Sequence, residues 1–136
     1  MGVYSRYIFP RMMDFVMSSG AMSKIRAAVL APVFGEIFEI GFGTGLNLPH
    51  YPPHVTRITT ADPNAGMSSL AERRIRERGI EVVHHTVGGE SLPLDDASFD
   101  SVVCTWTLCS IPEVSKAVAE IHRILRPGGT FYFVEH

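Results

Sequence analysis

The residues best placed to do chemistry stand in one run, Glu39-Ile40-Gly41-Phe42-Gly43-Thr44-Gly45, in which three glycines alternate with other residues just after an acid. Glycine adopts positive φ readily and carries no side chain, so this run lets a ligand lie against bare backbone. Asp62 comes one predicted strand later, and its carboxylate has acceptors for both hydroxyls of a ribose. Two kinds of nucleoside site share that pairing. A dinucleotide site asks for G-x-G-x-x-G or G-x-G-x-x-A, because the third small residue lets helix and strand pack closely. Leu46 stands at that position, which disfavours a dinucleotide-dependent oxidoreductase.

Such a loop must be held by a sheet, and the chain supplies one. Residues 36–40 form a short apolar strand running straight into the glycines. Residues 55–61 and 80–85 form two more strands. Residues 99–106 are almost continuously apolar, as expected where both faces of a parallel sheet are covered, and 130–134 make a fifth strand. Between them, Asn64 is placed to cap a helix with Met67, Leu70, Ala71 and Ile75 on one face, ended by Gly79. Pro112 opens another helix with Val114, Ala117, Val118, Ile121 and Leu125 on one side, stopped by Pro127-Gly128-Gly129. Residues 8–33 carry Phe9, Met12, Met13, Val16, Ile25, Ala28 and Val29 at near-helical spacing. They read as two short amphipathic helices broken at Ser18-Ser19-Gly20, serving either as packing or as a lid. Strands alternating with helices predict an α/β fold with a doubly wound parallel sheet, whose ligand sits beyond the strands' carboxyl ends.

Composition narrows the function. The 136 residues suffice for one hydrophobic core, and 46% apolar with 19% charged residues suits a folded domain. A net charge of −2 offers no broad positive field, so nucleic acid is not an expected partner. The charge cluster from Glu72 to Arg78 mixes both signs and reads as a solvated helix face. Cys104 and Cys109 match no metal spacing and read as buried reduced thiols; no metal site is expected. No window reaches the roughly 20 apolar residues that span a bilayer, and no signal-peptide core is present, which points to a cytoplasmic protein. Peripheral membrane contact by the N-terminal helices stays open.

Three segments together are more specific than the glycine run alone. Glu39-Ile40-Gly41-Phe42-Gly43-Thr44-Gly45, Gly89-Glu90-Ser91-Leu92-Pro93 and Leu125-Arg126-Pro127-Gly128-Gly129 resemble the serial motifs of class I S-adenosylmethionine-dependent methyltransferases. The nearest likeness is to the branch with quinone, phospholipid and thiol methyltransferases. Trp106-Thr107-Leu108-Cys109-Ser110 and Phe131-Tyr132-Phe133-Val134-Glu135-His136 are similar to the thiol group in particular. The resemblance implies a Rossmann-like sheet of strand order 3-2-1-4-5, with a helical cap over residues 1–34 and an S-adenosylmethionine-binding domain over 35–136.

Carried over by position, the resemblance implies that Gly41, Gly43, Thr44 and Gly45 receive the methionine end of the cofactor, with Glu39 supporting the loop. Asp62 would hold the ribose, Pro63 and Asn64 would flank the adenosine, and Gly88 and Gly89 would line the adenine. Thr105 would face the methionine amino group, and Tyr4 would close over the top. Many relatives have an aspartate at the position of Gly88 as acceptor for the adenine amino group; here Glu90 or backbone carbonyls must take that role. Methyl transfer from a sulfonium needs alignment and exclusion of water more than a base. Among six histidines, His136 is the candidate base, with a frayed terminal residue as its alternative; structural roles are expected for His50, His54, His84, His85 and His122.

The family commonly completes its sheet with an antiparallel strand pair after the fifth strand, and the 136 residues stop before it. Truncation is therefore expected, with an apolar edge at Phe131–Val134 prone to self-association. The expected activity is methyl transfer to a small, possibly apolar acceptor: a thiol, a quinone or a lipid headgroup. The alternative is a catalytically inactive S-adenosylmethionine-binding module.

Overall fold

The computed structural model of the chain describes residue 12, residues 19–64 and residues 68–135. Five strands form one sheet: β1 (Ile37–Ile40), β2 (Arg57–Ala61), β3 (Glu81–His85), β4 (Phe99–Thr105) and β5 (Leu125–Val134). Their order is β3-β2-β1-β4-β5, and every adjacent pair is parallel. The expected topology is the observed one. Strand order reverses between β1 and β4, so the loops leaving these two strands splay apart and open a crevice. Around the sheet lie the α-helices α1 (Gly20–Leu30), α2 (Ser69–Arg78) and α3 (Val114–Ile124), with 3-10 turns at Leu48–His50 and Leu108–Ser110.

The sheet is apolar on both faces because its central strands alternate between two cores. Ile37 and Val103 belong to one cluster with Leu30, Val33, Leu48, Ile58 and Ala71. Phe38, Ile40, Val102 and Cys104 belong to the other with Phe99, Ile121 and Ile124. Each such large side chain contributes roughly 1.5–3 kcal/mol by leaving water. No helix among the described residues is long and apolar enough to cross a membrane.

The structure corrects several expectations about helix ends and faces. Ser68, not Asn64, caps α2, accepting from the Ala71 amide at 3.1 Å. Met67 lies outside the described residues. Gly79 does end the helix, in the left-handed conformation with its amide on the Ile75 carbonyl. On α1 the inward face is Arg26 and Leu30, while Ile25 and Ala28 point outward. The first of the two expected N-terminal helices falls largely outside the described residues.

On α3 the buried residues are Ala117, Ile121 and Ile124, and Val114 and Val118 are exposed. That helix stops at Ile124, and Leu125 already belongs to β5. Pro127-Gly128-Gly129 lies in an irregularity of β5, where pairing jumps from Phe99–Leu125 to Ser101–Thr130. Proline has no amide to give the ladder, so a bulge is where it fits. Of the two thiols, Cys104 is buried but Cys109 is exposed.

The long β3–β4 connection has no helix of its own and is tied to α3. Glu120 accepts from the Leu92 amide at 2.8 Å, and Arg123 donates to the carbonyls of Leu92 and Leu94 and to Asp96. Gly89 presses this connection onto the core, where a Cβ would overlap Ile40 Cδ1. Ile40 is itself buried and cannot swing away. Gly89→Ala is therefore expected to cost about 1–3 kcal/mol through overpacking. Urea denaturation checks this, and an unchanged midpoint would show that the connection yields.

Candidate functional site

The crevice is built from β1, β2 and β4 at their carboxyl ends. β1 runs into Gly41, whose amide continues the ladder to the Ala61 carbonyl at 2.9 Å. Gly41 and Gly43 both have positive φ, 75° and 56°. They are glycine for different reasons. A Cβ on Gly41 would overlap the side chain of Thr107. A Cβ on Gly43 would meet nothing within 4 Å, so this residue presents bare backbone to open space. Across α2, Arg74 donates to the Thr44 carbonyl at 2.9 Å and steadies the loop. Arg74 and Arg78 thus do more than form the solvated face expected of their helix, since Arg78 also donates to the carbonyls of Pro52 and Val55.

Asp62 joins β2 to this loop. One carboxylate oxygen accepts from the Gly43 amide at 3.1 Å, and the other accepts from both the Asn64 amide and its side-chain amide at 2.9 Å. A carboxylate has about four acceptor positions, and the described residues use three of them. Two ribose hydroxyls would fit once the Asn64 side chain turns away. Pro63 and Asn64 are exposed at the rim.

Glu39 lies beneath the loop, 1% exposed, with the Tyr51 hydroxyl donating to it at 2.7 Å. Burial pushes its carboxyl up to about 7, against the pull of Tyr51, Asn47 and the Arg26 guanidinium. Tyr51 is raised well above the usual phenol range by burial and by Glu39. The two are buried together at β1.

A polar cluster that sequence reasoning missed closes the same end of the sheet. Arg26, 5% exposed, reaches in from α1 and donates to Asn47 Oδ1 at 2.7 Å and to Thr105 Oγ1 at 3.2 Å. Asn47 also donates to Thr105 Oγ1 at 3.1 Å. The Thr105 oxygen already receives two donors, so a ligand ammonium would have to displace one of them. The Arg26 guanidinium also lies over the Trp106 ring, 4.8 Å from its centroid, a cation–π arrangement. Only an arginine on the Leu30 side of a helix hinted at this, and nothing marked Asn47.

On the far side, Gly88 and Glu90 meet. The Glu90 carboxylate oxygen lies 2.9 Å from where a Cβ of Gly88 would be. It therefore holds a negative group in the space that a short acidic side chain at residue 88 would occupy. Tyr4 and His136 lie outside the described residues. Among the described residues no group of three or more His, Cys, Asp or Glu could hold a metal.

The sequence pattern of a methyltransferase domain matches residues 38–133. The chain belongs to the methyltransferase domain family. It is 36% identical to the human thiol S-methyltransferase TMT1A over 134 residues, covering 96% of this chain and 49% of that protein. It is 35% identical to a phosphatidylethanolamine N-methyltransferase of Cereibacter sphaeroides, covering 75% of this chain and 51% of that protein. The crystal structure of YcgJ from Bacillus subtilis superposes with a TM-score of 0.68 at 31% identity, covering 89% of this chain and 51% of that one. The chain spans about half the length of the curated relatives it matches. The family match covers the glycine run, Asp62, Glu90 and Thr105, and leaves Arg26 and Glu135 outside.

The Glu39 shift has a measurable consequence. A carboxyl raised from 4.5 to about 7 in the folded state holds its proton where the unfolded chain has lost it. Stability from this group is therefore full below pH 4.5 and falls as pH rises through 7, by roughly 3 kcal/mol in all. Glu39→Gln, which keeps an acceptor for Tyr51, is expected to flatten the stability profile between pH 5 and 8. Urea midpoints across that range check it; a wild-type profile that is already flat would contradict it.

Proposed function

We propose that this methyltransferase domain binds S-adenosylmethionine in the crevice and directs methyl transfer to a small apolar acceptor, a thiol first among them. The observation that supports the reading is the Asp62 carboxylate bound to the Gly43 amide, an acceptor able to serve a sugar beside backbone with open space before it. The cofactor supplies an electrophilic methyl group on a sulfonium, and the chain supplies placement. Gly41, Gly43, Thr44 and Gly45 would take the amino-acid end, resting on Glu39, and Asp62 the sugar. Glu90, folded over Gly88, would accept from the adenine amino group. In-line displacement disperses charge, so fixing both reactants and excluding water provide most of the assistance needed. The relationship to a thiol S-methyltransferase supports a thiol acceptor, and the lipid-amine relative makes a headgroup amine the competing one.

Calorimetry with S-adenosylhomocysteine and with NAD tests the cofactor. The homocysteine compound should bind and NAD should not; the reverse would establish a dinucleotide site. Asp62→Ala removes a charged acceptor worth about 1.5–3 kcal/mol per bond, so affinity should fall at least about tenfold. Glu90→Ala should weaken S-adenosylhomocysteine but not S-inosylhomocysteine, which lacks the amino group, and an equal loss for both would remove Glu90 from the adenine. Radiolabelled methyl transfer to an alkyl thiol, compared with phosphatidylethanolamine vesicles, separates the acceptors.

Self-association belongs to the same proposal. Among the described residues β5 is a sheet edge, and Phe133 is 55% exposed and stacked on Phe131. A second copy pairing there would satisfy the free edge. Sedimentation should show oligomers for the 136-residue chain and monomers for Phe133→Lys; a monomeric parent would contradict this.

A further inference from the structure

β4 leaves the sheet through a turn that its sequence does not favour. Trp106 has φ +47°, a left-handed conformation that a bulky residue adopts only when its surroundings impose it. Three restraints impose it. The Trp106 amide donates to the Val134 carbonyl at 2.8 Å. Beyond it, the amides of Thr107 and Leu108 both donate to one atom, Glu135 Oε1, at 3.0 and 2.9 Å. The buried Cys104 thiol points at that same oxygen, 3.8 Å away. The turn then delivers two side chains to the crevice: Thr107 covers Gly41, and the Trp106 ring lies beneath the Arg26 guanidinium.

We propose that Glu135 is a positioning residue for the methyl-transfer site, holding the strained Trp106–Leu108 turn so that Thr107 and Trp106 shape the amino-acid end of the crevice. It rests on the cofactor reading given above. Glu135 acts through the turn and not on the reacting atoms. A single acceptor oxygen gathering two successive amides fixes their directions, and these set the side chains before them. Without it, the left-handed residue relaxes toward ordinary backbone and carries its ring away from Arg26. The acid is needed here as an acceptor, not as a base. That distinguishes it from a catalytic carboxylate at the same strand end, because glutamine keeps the acceptor oxygen and loses the charge.

Trp106 is the only tryptophan of the chain, so its fluorescence reports the turn directly. The experiment titrates S-adenosylhomocysteine into the 136-residue chain and its Glu135→Ala and Glu135→Gln variants, following both affinity and Trp106 emission. Thermal unfolding is recorded for each. Glu135→Ala should shift the emission to the red before ligand is added and weaken binding about tenfold, the loss expected when the binding-competent turn is populated about a tenth of the time. Glu135→Gln should restore the emission and most of the affinity. Equal damage by glutamine and alanine would overturn the proposal in favour of a role for the charge, and so would an alanine variant with parental emission and affinity. If Glu135→Ala does not fold, the glutamine variant still decides, since parental emission and affinity support the acceptor role and their loss overturns it. Should the parent chain bind no S-adenosylhomocysteine, the cofactor reading fails, while the emission of the variants still tests the turn by itself.

Discussion

The hydrogen bond from the Gly43 amide to Asp62 joins the two halves of the crevice. β1 and β2 are neighbours in the sheet, and their ladder reaches as far as the Gly41 amide on the Ala61 carbonyl. A carboxylate at the end of β2 adds a tie beyond it, and in doing so it turns its other oxygen and the bare glycine backbone toward the same space. The surrounding polar groups follow from this arrangement. Glu39 and Tyr51 fill the volume behind the loop, where a ligand cannot reach. Arg26, Asn47 and Thr105 close the end nearest β4.

The apolar cores and the polar crown have separate tasks. The two clusters on either face of the sheet fix the strands, and their alternating residues leave little freedom in register. The crown sits on their upper edge and holds groups that are costly to bury. A carboxyl pushed to about 7 and a guanidinium 5% exposed are tolerable there only because each has hydrogen-bonding neighbours. Domains often store such costs where ligands bind, since the same preformed polarity then meets the ligand without rearrangement.

Much of this was legible in the sequence, and what was hidden has identifiable causes. All five strands showed through as short apolar or β-branched runs, the first two ended by Gly41 and Asp62, and alternation with helices implied their parallel order. The glycine run and Asp62 were visible as residue types whose uses are few. Arg26 escaped because apolar periodicity predicts the face that meets oil, whereas α1 docks partly on the polar crown. Val114 and Val118 were misplaced for a related reason: the stripe on α3 is wider than the face that β4 and β5 cover. Leu125 fits a helix by spacing, but the β5 ladder takes it. Asn64 resembled a cap and was claimed by Asp62. The strain at Trp106 and the reach of Glu135 depend on contacts between distant segments, which no local pattern encodes.

The account's central claim is most directly examined by nuclear magnetic resonance of the labelled chain during titration with S-adenosylhomocysteine. The Gly43 amide and the Asn64 side-chain amide should shift together and saturate at one affinity, because the sugar must share Asp62 with the first and displace the second. Saturating shifts confined to other parts of the sheet, with both of these signals unmoved, would contradict it.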